Sequence, residues 1–149
     1  MEIQQISDRL KGAQSAADAS NVKLEVSVTK NLTVLEGRAL AAEILTRPKE
    51  SRPDAIFAAN DLLALGIIQV LVVAPDISIP KDIALVGYDD ISFAGSALIS
   101  LTSIRQPSLL IGAQAVELLI QETEGAKDFK KRQVVFQPEL VVRDSTRPQ

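Results

Sequence analysis

The 149-residue sequence contains no cysteine, no histidine and no tryptophan. Without cysteine there is no disulfide framework and no thiol chemistry. Without histidine the commonest metal ligand and the commonest general base are both missing. Aromatic residues make up 3% of the chain, which argues against a surface built to stack nucleic-acid bases. The apolar uncharged run of residues 62–75 falls short of the roughly 20 residues a membrane-spanning helix needs. The opening stretch MEIQQISDRL is polar and has no apolar core of a secretory signal, so a soluble, cytoplasmic protein is expected. No G-x-S-x-G elbow, phosphate-binding loop or G-x-G-x-x-G turn occurs. Asp89 and Asp90 are adjacent and cannot flank a glycosidic bond as a hydrolytic pair must. These absences point to a protein that is not an enzyme and carries no cofactor or metal.

What is present suits one globular domain. The chain is 46% hydrophobic and 23% charged, with a net charge of −3, ordinary values for a length that fills a single core. Lysine and arginine are scattered. The local spots at Lys30, at Arg47 and Lys49, and in KDFKKR (127–132) read as solvated loops and do not form the basic face of a nucleic-acid binder.

Apolar spacing divides the chain into alternating elements. Residues 4–19 place Ile6, Leu10, Ala13 and Ala17 on one helical stripe. KLEVSV (23–28) alternates like a strand. TVLEGRALAAEIL begins with Thr33 and has Glu36 three residues later, the pattern of a helix start in which each caps the other. Its Leu35, Leu40, Ala41, Ile44 and Leu45 are expected to face a core. AIFAA (55–59) is continuously apolar, as in a strand buried on both faces. A helix is predicted over 61–73, a strand at IALVGY (83–88) and a short strand at SLTSI (100–104). Pro107 is expected at the first position of a helix that runs to about Glu124 and ends at Gly125. RQVVFQPELVVRD (132–144) closes the chain as strand, broken at Pro138. Strand–helix alternation with apolar strands predicts an α/β fold: a three-layer, doubly wound parallel sheet with helices on both faces.

Two apolar runs stop at polar residues. IFAAND ends in Asn60 and Asp61, and IALVGYDD ends in Asp89 and Asp90. Parallel strands would bring these tips to one edge of the sheet, the carboxyl edge where ligands collect in such folds. The helix that follows Asn60 is apolar nearly all round, and only Gln69 interrupts it. It is either deeply buried or presents its outer face, Leu62, Leu65, Ile68, Gln69 and Val72, to a second subunit.

RPDAIFAANDLLALG and IPKDIALVGYDDI resemble the LacI/GalR family of bacterial transcription regulators. DRLKG, LTSIRQP, GAQAVELLI and ELVVRDST resemble further segments of the family in the same order, so the likeness runs from Arg9 to Thr146. The resemblance implies the C-terminal lobe of a periplasmic-binding-protein-like (type I) sensor. Residues of about 1–104 and 139–146 would form that lobe, and about 107–135 would belong to the N-terminal lobe. The family's helix-turn-helix has no counterpart in the sequence. In the parent regulator a small-molecule effector, a sugar or sugar-like compound, would bind between the lobes and change DNA binding by a homodimer.

By the same resemblance Arg9, Asn60 and Asp89 are expected to bind the effector, with Gln106 touching either ligand or hinge. A guanidinium grips paired oxygens, an amide donates and accepts, and a carboxylate accepts from vicinal hydroxyls. Asp61 is then expected to cap its helix and Asp90 the short turn at 91–94. Leu32 stands where the family often has an aromatic ring that stacks on the effector. Two other readings use the same sheet: a lobe of a periplasmic sugar-binding transport protein, and a Mg²⁺-dependent phosphoacceptor domain with an acidic pair at a strand tip.

Overall fold

The computed structural model describes residues 4–124 and 132–147. Four α-helices and four strands follow one another along them, with a short 3-10 turn at Lys49–Ser51: α1 (Gln4–Ala19), α2 (Val34–Thr46), β1 (Ala55–Phe57), α3 (Asp61–Leu71), β2 (Ala84–Asp89), β3 (Thr102–Arg105), α4 (Ser108–Thr123) and β4 (Glu139–Val141). The sheet order is β1-β2-β3-β4. β1, β2 and β3 run parallel, and β4 is antiparallel to β3. The fold is therefore α/β with a mostly parallel sheet, and the last strand departs from the all-parallel expectation.

The core lies between α3, α2 and one face of the sheet. Ile67, Ile68 and Leu71 of α3, Ala41 and Ile44 of α2, and Leu85 and Leu101 from the sheet side are buried. Each large aliphatic side chain removed from water in this way contributes about 1.5–3 kcal/mol. The helices cross at glycine. A Cβ on Gly37 would run into the backbone of Leu63, and one on Gly66 into the backbone of Val34. Side chains alternate along β2: Leu85 and Gly87 are buried, while Val86 and Tyr88 are half-buried. A Cβ on Gly87 would strike the Asp61 side chain, so Gly87 faces α3 and Tyr88 faces the opposite side.

Several sequence expectations change. α1 and the parallel strands stand as predicted, and Thr33 caps α2 by accepting from Glu36 N at 3.3 Å. Glu36 does not return the bond to Thr33; its carboxylate accepts from Lys30 N at 3.4 Å. Leu35 is 72% exposed and takes no part in the core. KLEVSV forms no strand, and Val28 is 92% exposed. Alternation alone does not make a strand where no neighbouring edge supplies hydrogen bonds, and no described strand pairs with this segment. β1 is not buried on both faces: it is an edge strand of the described sheet, and Phe57 is 45% exposed. Pro107 stands just before α4 and not within it; Gly125 lies outside the described residues. Of the closing stretch only Glu139–Val141 is strand.

α3 mixes both readings of its apolar surface. Leu63, Ala64, Ile67, Ile68 and Leu71 are buried, whereas Leu62, Gln69 and Val72 are exposed and Leu65 is intermediate. Ile68 is 1% exposed, so it belongs to the core and cannot serve a subunit interface. α4 buries no residue. Its Ile111, Ala115 and Leu119 lie exposed and Leu118 half-buried.

Candidate ligand-binding site

The parallel register places the tips of β1 and β2 on one edge, with Phe57 opposite Val86 and Asp89 opposite Arg105 of β3. Asn60, Asp89 and Gln106 therefore share the carboxyl edge of the sheet, as the apolar runs imply. Arg9 reaches the same edge from α1. Its Nη1 donates to Ala59 O at 2.6 Å, and its Nη2 stands 3.6 Å from Asp89 Oδ1. Its guanidinium carbon lies 3.6 Å from the centre of the Tyr88 ring, a cation–π distance. Gln106 Nε2 donates to the same Asp89 Oδ1 at 2.9 Å. Both neighbours approach one carboxylate oxygen, and no described residue takes the other. The Asp89 side chain is 35% exposed and that of Arg9 13%.

Asn60 takes the capping role expected of Asp61, and Asp61 takes neither expected role. Asn60 caps α3, its Oδ1 accepting from Leu63 N at 3.0 Å, and its Nδ2 donates to Leu32 O at 3.2 Å. The amide is committed on both sides and the residue is 9% exposed. A short polar side chain just ahead of the first helical turn satisfies an orphan amide more locally than it can reach a ligand. Leu32 adjoins the edge through its carbonyl, while its side chain packs against the core.

Asp61, fully buried, links three elements. Its Oδ1 accepts from Ser103 Oγ at 2.6 Å and its Oδ2 from Ile91 N at 2.8 Å. Ser103 Oγ in turn accepts from Asp90 N at 3.0 Å. The turn at 91–94 is thus capped by Asp61, not by Asp90. Asp90 instead pairs with Arg105 at 2.6 Å and Arg143 at 2.7 Å. The physical reason is reach. Asp89 and Asp90 have φ of 104° and 49°, so the backbone turns sharply after β2 and leaves Asp90 between two guanidinium groups.

Burial pushes the Asp61 carboxyl above the usual carboxylate range. The bonds from Ser103 and Ile91 oppose the shift, and the charges of Asp89 and Asp90 add to it. Burial also pushes Asp90 up, but Arg143 and Arg105 outweigh it and hold the carboxyl below its ordinary value. The hydrogen bond and charge of Asp90 raise Arg105 in return. Two consecutive non-glycine residues in the left-handed region each cost on the order of 1–3 kcal/mol unless the surroundings enforce them. Here Asp61, Ser103, Arg105 and Arg143 do so.

Sequence reasoning brought together Arg9, Asp89 and Gln106, and it missed Tyr88, Ser103, Arg143 and the Ala59 carbonyl. Ser103 was detectable as a hydroxyl within an apolar strand, where a buried polar group needs a partner. Tyr88 was detectable from the period of two in ALVGYD, which sets it opposite Leu85 and Gly87. Among the described residues no group of three or more acidic, histidine or cysteine side chains is arranged to hold a metal ion. A hollow of about 300 Å³ lined by Arg105–Leu110 opens at the start of α4 and meets this cluster at Gln106. No helix among the described residues is long and apolar enough to cross a membrane.

The family model described as a periplasmic binding protein-like domain matches residues 2–146. The chain belongs to that family, and within it to the effector-binding regions of the LacI/GalR transcription regulators. It is 43% identical over 108 residues to the arabinose metabolism transcriptional repressor of Geobacillus stearothermophilus, covering 72% of this chain and 29% of that protein. It is 34% identical over 145 residues to the HTH-type transcriptional repressor PurR of Vibrio vulnificus, covering 94% and 41%. The crystal structure of a LacI-family regulatory protein from Chloroflexus aggregans matches with a TM-score of 0.84 at 30% identity, over 93% of this chain and 50% of that one. The complex of the transcriptional regulator CelR with cellobiose matches with a TM-score of 0.81 at 33% identity, over 93% and 42%. The chain spans less than half the length of these curated relatives.

Proposed function

We propose that this chain senses a small, polyhydroxylated effector, a sugar or sugar-like compound, for a LacI-type regulator, and that it is not an enzyme. The observation that carries the reading is the convergence of Arg9, Asp89 and Gln106 at one edge of the sheet. Arg9 supplies N–H donors, Asp89 a carboxylate oxygen that no described residue takes, and Gln106 holds that carboxylate. The charges of Arg9 and Asp89 offset each other, which favours a neutral ligand with vicinal hydroxyls over an anion. Similar proteins include an arabinose metabolism repressor and a regulator in complex with cellobiose, and both fit that chemistry. Regulators of this kind couple the ligand's preference for one lobe arrangement to DNA binding; the outward stripe of exposed Leu62, Gln69 and Val72 with half-buried Leu65 on α3 fits the subunit contact of a homodimer. A transport protein would share the fold, but repressors and regulators among the relatives favour the regulatory reading.

The test is calorimetric titration of the chain with L-arabinose, D-glucose, sucrose and cellobiose. Asp89→Ala is expected to weaken the tightest of these by tenfold or more while the fold persists. Asn60→Ala is expected to cost about 1–2 kcal/mol of stability through its lost cap, with the affinity of the folded fraction changed less than threefold. Equal affinities for Asp89→Ala and the unsubstituted chain would end this assignment.

A further inference from the structure

α1 buries none of its residues, yet the Arg9 side chain it carries is only 13% exposed. Arg9 is therefore held by what it reaches and not by its own helix. Three groups receive it: the Ala59 carbonyl at 2.6 Å, the Asp89 carboxylate at 3.6 Å, and the Tyr88 ring face at 3.6 Å. Tyr88 is the one tyrosine in the sequence. It stands on the sheet face opposite α3 because Leu85 and Gly87 take the core side of β2. It also directly precedes Asp89, so ring and carboxylate come to the same guanidinium from consecutive residues.

A long flexible cation has much rotamer freedom, and freezing that freedom on binding weakens a ligand's affinity. An aromatic face fixes the plane of a guanidinium, and a carbonyl on one edge fixes its rotation within that plane. We propose that Tyr88 is a positioning residue for ligand recognition. With the Ala59 carbonyl it clamps the Arg9 guanidinium beside Asp89, so that the two present a preformed donor–acceptor pair to the ligand. The role of Arg9 toward ligand rests on the function proposed above; the clamp does not, and the test separates them.

The Arg9 Nε–H resonance of the 149-residue chain, assigned by its loss in Arg9→Lys, reads the clamp without any ligand. An upfield ring-current shift is expected in the unsubstituted chain and in Tyr88→Phe, and its loss in Tyr88→Val, a β-branched replacement suited to a strand. Titration with L-arabinose, D-glucose, sucrose and cellobiose reads recognition. Tyr88→Val is expected to raise the Kd of the tightest sugar roughly tenfold, and Tyr88→Phe to leave it within twofold. Adding Tyr88→Val to Arg9→Ala is expected to cost nothing further. An unshifted Arg9 resonance in the unsubstituted chain overturns the clamp, even if Tyr88→Val fails to fold. A shifted resonance together with an unchanged Kd in Tyr88→Val overturns its part in recognition. A shifted resonance with no effect of Arg9→Ala on any of the four sugars removes Arg9 from the site, and the recognition role of Tyr88 falls with it.

Discussion

A carboxylate with no exposed surface needs a partner on each oxygen, and Asp61 finds them in Ser103 and Ile91. Its raised pKa and the depressed pKa of Asp90 bear on stability with opposite signs. A group with a lowered folded pKa contributes stability above its unfolded pKa and loses it as pH falls through the folded value. Asp90 should therefore make the chain less stable as pH drops below about 4, near the usual value for aspartate. A group with a raised folded pKa favours the folded state at low pH, and that contribution is lost as pH rises through the folded value. Asp61 thus works against stability above the carboxylate range. Urea unfolding midpoints measured across pH 3–7 should fall at the acid end in the unsubstituted chain and flatten there in Asp90→Asn. Asp61→Asn should remove the decline that runs from the usual aspartate range up through the raised Asp61 value. The sequence revealed that both residues were unusual, because each follows an apolar run. It could not assign their partners, since those lie on segments distant in sequence, Ser103 and Arg143.

Among the elements, α3 was legible in existence and nearly in length, because its apolar density and the polar pair ahead of it mark a buried helix with a definite start. The side of the helix that faces outward was not legible. With apolar residues almost all round, periodicity carries little information, and packing decides that Ile68 points inward and Gln69 outward. The two make a sharp contrast. Ile68→Lys should destabilise the chain by at least about 3 kcal/mol, since it buries an ammonium among aliphatic side chains. Gln69→Lys should leave the unfolding midpoint nearly unchanged. In light scattering over a concentration series, Gln69→Lys with Val72→Glu should lower the apparent mass toward that of one chain if this stripe is the dimer contact. An unaltered dimer mass would locate that contact elsewhere. KLEVSV illustrates the opposite failure. Its pattern of two is clear, but a strand also needs an edge to join, which a local reading cannot supply.

Across the whole molecule, the far end of the described chain returns to the middle of the sheet. Ser145 is fully buried; its hydroxyl donates to Leu85 O at 2.6 Å and accepts from Thr102 N at 2.8 Å, and its own carbonyl accepts from Leu85 N. One serine thereby joins the beginnings of β2 and β3. Ser145→Ala should cost about 1–3 kcal/mol, because it leaves a buried amide and a buried carbonyl without partners. Thermal unfolding followed by circular dichroism measures it, and a loss below about 0.5 kcal/mol would mean the strands close without this bridge. The α/β class was visible at this scale through strand–helix alternation, and the common edge of Asn60 and Asp89 through parallel pairing. The antiparallel β4 was not visible, since direction depends on how the chain returns after α4.

The paired left-handed residues at the end of β2 separate two properties that usually move together. At Asp89 the side chain belongs to the proposed ligand edge, while the backbone conformation, φ 104°, suits glycine better than aspartate. Asp89→Gly would therefore surrender the acceptor and relax the turn in one step, whereas Asp89→Ala surrenders the acceptor and keeps the strain. A lineage that lost its effector at this position could do so by glycine without losing its fold, and such a protein would be a deaf sensor that remains well folded.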